Sequence, residues 1–355
     1  RSGVVTEWYG RLPEKRGDRV VAVDTHTEGE LTRIVLQGGP ELPDFPAAEL
    51  RSFFATHLDK WRKMLAWEPR GHRDLEIAWL APSNDSEIDF RLIFMDARRY
   101  PLACGTATIG AVVAAVELGI VENGKEWIKV DTPSGLIACH LKRKDGRPTV
   151  ALQMVPACLT LRDETLQLDH KTYRADLGFV GGFLLLMEAD QLDFPLDSRF
   201  SQQIVNLGES LISAANLQWN VLHPKSGEAA SVDGVVFYDS SGHADKEGRG
   251  AVVYGEAHLD RSPCGTGTTV KMALLERQGL LRPGQRFVNR SLLDTSFTGY
   301  LQELVKVGDF PGVQVSLEGT AHLVAFHEFF IDPADPLSGG FLLGNPTHHV
   351  KRNSE

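Results

Sequence analysis

The stretch Cys264-Gly265-Thr266-Gly267-Thr268 is nearly repeated earlier in the chain, as Cys104-Gly105-Thr106-Ala107-Thr108. The two copies are 160 residues apart, and each opens an apolar segment that we expect to form a buried helix ending at a glycine, Gly119 or Gly279. Solenoid repeats recur every ~20–50 residues, so this offset indicates a duplicated lobe instead. We therefore predict two similar lobes related by a pseudo-twofold axis, with the paired motifs facing each other across a cleft.

The segments around these motifs alternate between strand-like and helical patterns, which predicts an α+β fold. A chain of 355 residues is too long for one compact core and suits two. We expect a tail over 1–17, an N-terminal lobe over 18–160 completed by a returning segment over 331–355, and a C-terminal lobe over 161–330. Periodicity predicts helices over 47–67, 107–118, 200–215 and 268–278, with a strand turn at Glu28-Gly29-Glu30.

Composition excludes several classes of protein. The chain is 42% hydrophobic and 24% charged, which is typical of a globular protein. Its formal net charge of −10 and the lack of a basic stripe argue against a nucleic-acid partner. Its longest apolar runs are shorter than the ~18–20 residues of a membrane span. Four cysteines are too few for a disulfide scaffold, and no signal peptide is visible, so we expect a cytoplasmic location.

A cysteine at a helix N-terminus has a distinctive chemistry. The positive end of the helix dipole and the free backbone N–H groups are expected to lower the pKa of its thiol. The same N–H groups favour a bound carboxylate. Two such cysteines around one carboxylate could remove a proton from one face of a carbon and deliver one to the other, as one thiolate and one thiol. The alternative is that both are buried structural cysteines.

The chain resembles the proline racemase family, which includes 4-hydroxyproline 2-epimerases and trans-3-hydroxy-L-proline dehydratases. The resemblance extends from Val20 to Leu343, and the segment Asp260 to Thr268 is its most specific part. Further matching segments are 24–30, 68–74, the helix start at Cys104-Gly105 and 332–343. The resemblance implies a diaminopimelate-epimerase-like fold, with the active site between the lobes.

The resemblance also implies roles for individual residues. Cys104 and Cys264 match the acid/base pair of the family, and Asp260 matches the aspartate that binds the substrate amine. The backbone that binds the substrate carboxylate matches Gly105, Thr106, Gly265 and Thr266. Tyr254 matches a pocket wall, and His72, in the matching segment 68–74, is expected to be a further substrate-binding residue.

Several positions depart from the family pattern. Thr106 stands where a pocket histidine is usual, and Glu76 stands where proline racemases have an aromatic wall. A buried unpaired charge is costly, so we expect Glu76 to bind a substrate hydroxyl or amine, or to pair with an arginine such as Arg73. The alternative is that Glu76 begins a strand and faces solvent.

The resulting prediction is a cofactor-independent racemase or epimerase that inverts the α-carbon of proline or a hydroxyproline-like imino acid. Cysteine at both acid/base positions favours inversion, because related dehydratases usually have threonine at the second. The alternatives are a dehydratase of the trans-3-hydroxy-L-proline type and an imino-acid-binding protein without turnover. Nucleotide and metal motifs are missing, and His26, His72 and Asp74 suit a structural role better than a metal site. The oligomeric state, monomer or homodimer, stays open.

Overall fold

A computed structural model describes residues 18–122, 124–144 and 146–343. The predicted tail 1–17 and the part of the returning segment after residue 343 lie outside these residues. The helices are α1 (Ala47–Phe53), α2 (Asp59–Ala66), α3 (Gly105–Glu117), α4 (Ser201–Gln218) and α5 (Gly265–Arg277). A π-helical turn, Phe54–Leu58, joins α1 to α2, and short 3-10 turns occupy Ala189–Gln191, Ser198–Phe200 and His243–Asp245.

Strands make up most of the remaining structure, which confirms the predicted α+β class. In chain order they are β1 (Asp18–Thr27), β2 (Glu30–Gly38), β3 (Glu76–Ala81), β4 (Phe90–Met95), β5 (Trp127–Thr132), β6 (Gly135–Lys144), β7 (Arg147–Gln153), β8 (Ala157–Leu168), β9 (Lys171–Phe179), β10 (Phe183–Glu188), β11 (Val232–Asp239), β12 (Glu247–Tyr254), β13 (His258–Leu259), β14 (Arg286–Arg290), β15 (Ser296–Val307) and β16 (Phe310–Ile331).

The strand pairings form two closed circuits that share the long strand β16. Within the described residues, β1 to β7 follow one another in order, and both β1 and β7 pair with β16. The second circuit runs from β16 through β15, β14, β12, β11, β10 and β9 to β8, and β8 again pairs with β16. Because each circuit closes on β16, neither leaves a long unpaired edge along its ring.

A cysteine-led helix packs within each circuit. Helix α3 contacts β1, β2, β3, β7 and β16, and its residues from Thr106 to Ala115 are buried. Helix α5 contacts β8, β10, β15 and β16 and is buried from Gly267 to Leu275. The apolar side chains on all sides of α3 explain this position, since a helix that is hydrophobic all round needs a fully buried site.

The predicted helices and turn are confirmed, with shifted ends. Helices α3 and α5 begin directly after their cysteines, a few residues earlier than the apolar pattern predicted, because glycine and threonine form the first turn. Gly119 and Gly279 follow the helices with φ of 70° and 74°, the left-handed conformation that stops a helix. Glu28 and Gly29 form the turn between β1 and β2. None of the described helices is long and apolar enough to cross a membrane.

Candidate active site

Cys104 lies directly before α3, at the centre of a small hydrogen-bonded group. Its Sγ lies 3.1 Å from Oε2 of Glu76 and 3.1 Å from Oγ1 of Thr106. The Thr106 hydroxyl donates to the same Glu76 oxygen over 3.1 Å, and the Ala107 N–H donates to Sγ over 3.4 Å. The thiol therefore contacts both the first turn of the helix and a carboxylate at the start of β3.

Cys264 has a matching environment at the start of α5. Its Sγ lies 3.0 Å from the Tyr254 hydroxyl and 3.3 Å from Oγ1 of Thr266, and the Gly267 N–H donates to it over 3.3 Å. The hydroxyl oxygens of Tyr254 and Thr266 are themselves 2.7 Å apart, within hydrogen-bond distance. The φ of Cys264 is 62°, a strained conformation for a residue with a side chain, and such strain is concentrated at functional sites.

The two cysteine groups share one design and differ in one position. Each has a threonine two residues after the cysteine and a polar side chain from a neighbouring strand on the sulfur. That side chain is the Glu76 carboxyl in the first group and the Tyr254 phenol in the second. Glu76 thus begins β3, as one alternative held, but it contacts the Cys104 thiol and does not simply face solvent.

Both helix starts keep free backbone donors. In α3, the Ala107 N–H bonds to Sγ of Cys104 and the Thr108 N–H to its carbonyl oxygen. Within the described residues the N–H groups of Gly105 and Thr106 make no hydrogen bond, and the same holds for Gly265 and Thr266 in α5. A carboxylate is the natural ligand of such N–H pairs.

The prediction that the helix starts lower the thiol pKa values is wrong for the ligand-free protein. Burial, followed by the charge of Glu76, raises the pKa of Cys104 well above its usual range. Burial, followed by the charge of Asp260, raises the pKa of Cys264 to about 12. The threonine hydroxyls and helix N–H groups act in the predicted direction, but desolvation outweighs them. Both cysteines are thiols at neutral pH.

The carboxyl groups of the site are also perturbed. Burial, followed by the negative charge of Glu30, raises the pKa of Glu76 to about 7. The same two causes raise the pKa of Asp260 to about 8, and Glu76 adds to this shift. Asp260 accepts hydrogen bonds from both the N–H and the hydroxyl of Ser262, over 2.8 and 2.7 Å. Glu76 contacts Cys104 and Asp260 lies four residues before Cys264, so the charge of one cysteine region contributes to the pKa of a carboxyl group in the other.

A cluster of four charged side chains lies near the two cysteine groups and is not predicted by the sequence. Its members are Glu30, Asp74, His258 and Arg261. Nε2 of His258 lies 3.5 Å from Oε1 of Glu30, and its Nδ1 lies 3.7 Å from Oδ1 of Asp74. Arg261 pairs with Asp74 at 2.9 Å, and its N–H donates to Glu30 over 2.6 Å. Burial alone would lower the pKa of His258, but Asp74 and Glu30 raise it to about 10, so it is an imidazolium at neutral pH.

Sequence signals for this cluster were only partial. Glu30 and Asp74 lie in segments that carry the family resemblance, whereas nothing in the sequence marks His258. Burial would raise the pKa of Asp74, but His258 and Arg261 hold it well below its usual range. Asp74 thus pairs with His258 and Arg261, and its expected structural role stays a prediction.

Two further predicted residues lie outside the cysteine groups. His72 is exposed, and its Nδ1 accepts a hydrogen bond from the Asp74 N–H over 3.3 Å. Among the described residues it has no hydrogen bond to either cysteine, so its predicted substrate contact stays a prediction. Arg73 donates to the carbonyl oxygen of Glu256 over 2.8 Å, so the alternative in which Arg73 pairs with Glu76 is wrong.

The histidines considered for metal binding have other partners. His26 accepts a hydrogen bond from the Gly29 N–H over 3.2 Å, and its ring centroid lies 5.1 Å from that of His322. In the part of the chain that the structure describes, no group of three or more His, Cys, Asp or Glu side chains is arranged to hold a metal ion.

Comparison with known proteins identifies the family to which this chain belongs. The family model described as proline racemase matches residues 22–342, and the chain belongs to that family. It is 35% identical to a proline racemase of Acetoanaerobium sticklandii, with 90% of this chain and 97% of that protein covered. It is 34% identical to a 4-hydroxyproline 2-epimerase of Streptosporangium roseum, covering 91% and 98%. It is 32% identical to a trans-3-hydroxy-L-proline dehydratase of Burkholderia cenocepacia, covering 90% and 97%.

A solved structure extends the similarity to three dimensions. The crystal structure of a hydroxyproline epimerase from Agrobacterium vitis, with bound trans-4-hydroxy-L-proline, superposes with a TM-score of 0.79 at 28% identity. The superposition covers 94% of this chain and 98% of that one.

Proposed function

We propose that this protein is a cofactor-independent epimerase that inverts the α-carbon of a hydroxyproline-like imino acid, with Cys104 and Cys264 as the acid/base pair. The observation that carries the proposal is the pair of matched helix starts, each with a thiol beside two free N–H groups. A racemase of unsubstituted proline is the same reaction on a simpler ring.

The two helix starts supply the binding of the substrate carboxylate. The N–H groups of Gly105 and Thr106, together with those of Gly265 and Thr266, lie at the positive ends of α3 and α5. The closed circuits, each with one cysteine-led helix, support the proposed pseudo-twofold relation between lobes 18–160 and 161–330. The substrate would then lie in the cleft between them.

The thiols act on opposite faces of the α-carbon. One sulfur removes the α-proton as a thiolate, and the other thiol delivers a proton from the opposite side. Asp260, half-buried four residues before Cys264, is proposed to bind the substrate amine. Because both free thiols have raised pKa values, the thiolate has to form within the complex, where the substrate ammonium adds a positive charge.

Glu76 favours a hydroxylated ring over plain proline. Both of its hydrogen bonds within the described residues use Oε2, so Oε1 remains for a substrate hydroxyl. A carboxyl group in the pocket wall stabilises an apolar ring less than an aromatic side chain does, because the carboxyl loses its hydration without gaining a partner.

Hydrogen exchange in D2O tests the function directly. We expect hydroxyproline isomers to incorporate deuterium at the α-carbon and to appear as the inverted epimer. C104S and C264S should each lose epimerisation by several orders of magnitude, while carboxylate binding survives because backbone N–H groups provide it.

The matched control for this test is C139A, because Cys139 is a free, fully buried cysteine on β6 that makes no side-chain hydrogen bond with either cysteine group within the described residues. It should exchange at the wild-type rate. A ketimine product with loss of water would support the dehydratase alternative, and binding without exchange would support the binding protein. Near wild-type epimerisation by C104S would exclude the two-cysteine mechanism.

A further inference from the structure

The Cys104 thiol has a proton acceptor of its own inside the site. Its Sγ lies 3.1 Å from Oε2 of Glu76, within hydrogen-bond distance for a sulfur donor. The same oxygen accepts from the Thr106 hydroxyl, which holds the carboxyl group in place from a second direction. The proposed reaction needs a thiolate at this sulfur, and the thiol proton therefore needs a destination.

Within the described residues, no carboxyl group is hydrogen-bonded to the Cys264 sulfur. Its partner at the corresponding position is the phenol of Tyr254, 3.0 Å from Sγ, and the pKa of this phenol is raised far above neutrality by burial and by Cys264. A phenol that keeps its proton stabilises a thiolate by donating to it, but does not take up the thiol proton. The two matched groups therefore differ in the side chain that contacts the sulfur, which is a carboxyl group at Cys104 and a phenol at Cys264.

We propose that the Glu76 carboxylate takes the thiol proton of Cys104 when substrate binds, and so makes Cys104 the thiolate that removes the α-proton. This inference rests on the proposed function, in which Cys104 is one of the two acid/base groups. Glu76 acts through Cys104 in this step, as a residue that positions and accepts its proton.

The proton balance of one turnover closes. First the S–H bond of Cys104 breaks and an O–H bond forms on Glu76. The substrate α-C–H bond then breaks as a new S–H bond forms on Cys104, and the Cys264 S–H bond breaks as the opposite face of the carbon gains its proton. Glu76 ends as a neutral acid and Cys264 as a thiolate, and return of one proton through solvent restores the starting state.

Burial and the surrounding charges set the pKa of Glu76 near neutrality. Glu30, on β2, disfavours the ionised form, and the imidazolium of His258, on β13, favours it. The same two charges and that of Glu76 also act on the pKa of Asp260. Together with burial, these groups bring the pKa of Glu76 to about 7, so that carboxylate and carboxylic acid are both accessible at neutral pH.

Alkylation of Cys104 at different pH values tests the shared proton without any substrate. A thiol and a carboxyl that share one proton titrate as a pair. In wild type, the rate of iodoacetamide labelling at Cys104, followed by peptide mass spectrometry, should rise up to about pH 7, stay flat, and rise again at higher pH. The flat region measures the fraction of singly protonated pairs in which the proton is on Glu76.

The variant E76Q removes the acceptor and keeps the shape of the side chain. Its Cys104 labelling should rise continuously, about tenfold per pH unit, with no flat region. Labelling at pH 8 should be faster than in wild type, because the repelling charge is gone, whereas kcat should fall on the order of 10²–10⁴-fold. Faster labelling with slower turnover excludes a simple loss of thiol reactivity.

The matched control is Thr106→Val, which removes the other hydrogen bond to the same Glu76 oxygen and leaves the acceptor. The labelling profile of Thr106→Val should keep the flat region. If Glu76 only held Cys104 in place through the hydrogen-bonded group, this variant would be expected to lose it. A wild-type profile without a flat region, or wild-type turnover by E76Q, would overturn the proposal. A flat region in a protein that exchanges no imino acid would support the proton transfer and overturn the proposed function.

Discussion

At the scale of single residues, Glu76 distinguishes this site from a pair of equivalent thiols. It contacts Cys104 and Thr106 through one oxygen, whereas the corresponding residue beside Cys264 is a phenol. The Cys104 sulfur therefore contacts a carboxyl group whose pKa is near neutrality, whereas the Cys264 sulfur contacts a phenol whose pKa lies far above it. In the proposed function, this difference affects both which substrate ring is preferred and which cysteine becomes the thiolate.

The substitution Glu76→Phe is expected to change substrate preference. It restores an aromatic wall, so the ratio of kcat/KM for proline to that for hydroxyproline should rise on the order of 10–100-fold. Both substrates lose the same proton acceptor, so this loss cancels in the ratio. Steady-state kinetics on the two imino acids measure the effect, and an unchanged ratio would show that Glu76 does not contact the ring substituent.

At the scale of elements, the first turns of α3 and α5 position the two cysteine sulfurs. Each cysteine accepts a hydrogen bond from the N–H three residues later, which caps the helix and fixes the sulfur beside the free N–H groups. The two turns differ in the room around their glycines. A Cβ on Gly105 would meet nothing within 4 Å, whereas one on Gly265 would lie 3.2 Å from Leu317.

Gly105→Ala separates ligand binding from stability. The melting temperature should stay unchanged or rise slightly, because the methyl group meets no protein atom and alanine favours a helix. KM should rise about tenfold or more, because the methyl group projects beside the N–H groups that are proposed to bind the carboxylate.

Gly339→Ala is the control, since a Cβ at that position also meets nothing within 4 Å. Both the melting temperature and KM of this variant should match those of wild type. Wild-type KM in Gly105→Ala would mean that the substrate carboxylate does not approach α3.

At the scale of the whole molecule, charges connect the two halves of the chain beside the site. Glu30 and Asp74 precede the first motif, whereas His258 and Arg261 lie next to the second. Glu30 is only 2% exposed, so its charge depends on these partners for compensation. The cluster thus links segments on either side of the two cysteine motifs by ion pairs. The shared strand β16 links the two circuits by backbone pairing.

His258 should make the stability of the protein pH-dependent. Its folded-state pKa of about 10 lies above the ordinary value of 6.5, so its contribution is complete below pH 6.5 and is lost as the pH rises towards 10. The facing groups are Glu30, Asp74 and Glu76. Between pH 8 and 10, the melting temperature of wild type should fall more steeply than that of H258Q.

Thermal unfolding followed by circular dichroism at several pH values measures both slopes. Equal slopes for wild type and H258Q in this interval would show that His258 is not an imidazolium in the folded protein. At pH 7 the variant should be less stable, because the buried Glu30 and the half-buried Asp74 lose their shared cation.

Local patterns in the sequence determined the elements and the candidate cysteines. The glycines at 119 and 279 ended the helices because they adopt positive φ without strain, and the repeated Cys-Gly-Thr segments began them. Such features depend on residues within one or two turns of one another. Family membership followed from the same segments, which lie within the matched range 22–342.

Only the tertiary structure decided the electrostatics of the site. The helix start predicted lowered thiol pKa values, but burial, followed by Glu76 and Asp260, raised them. The Arg261 N–H reaches Glu30 across 231 residues of sequence, and His258 contacts carboxylates from two distant segments. Desolvation and charge coupling depend on which side chains packing brings together, and no local pattern encodes that proximity.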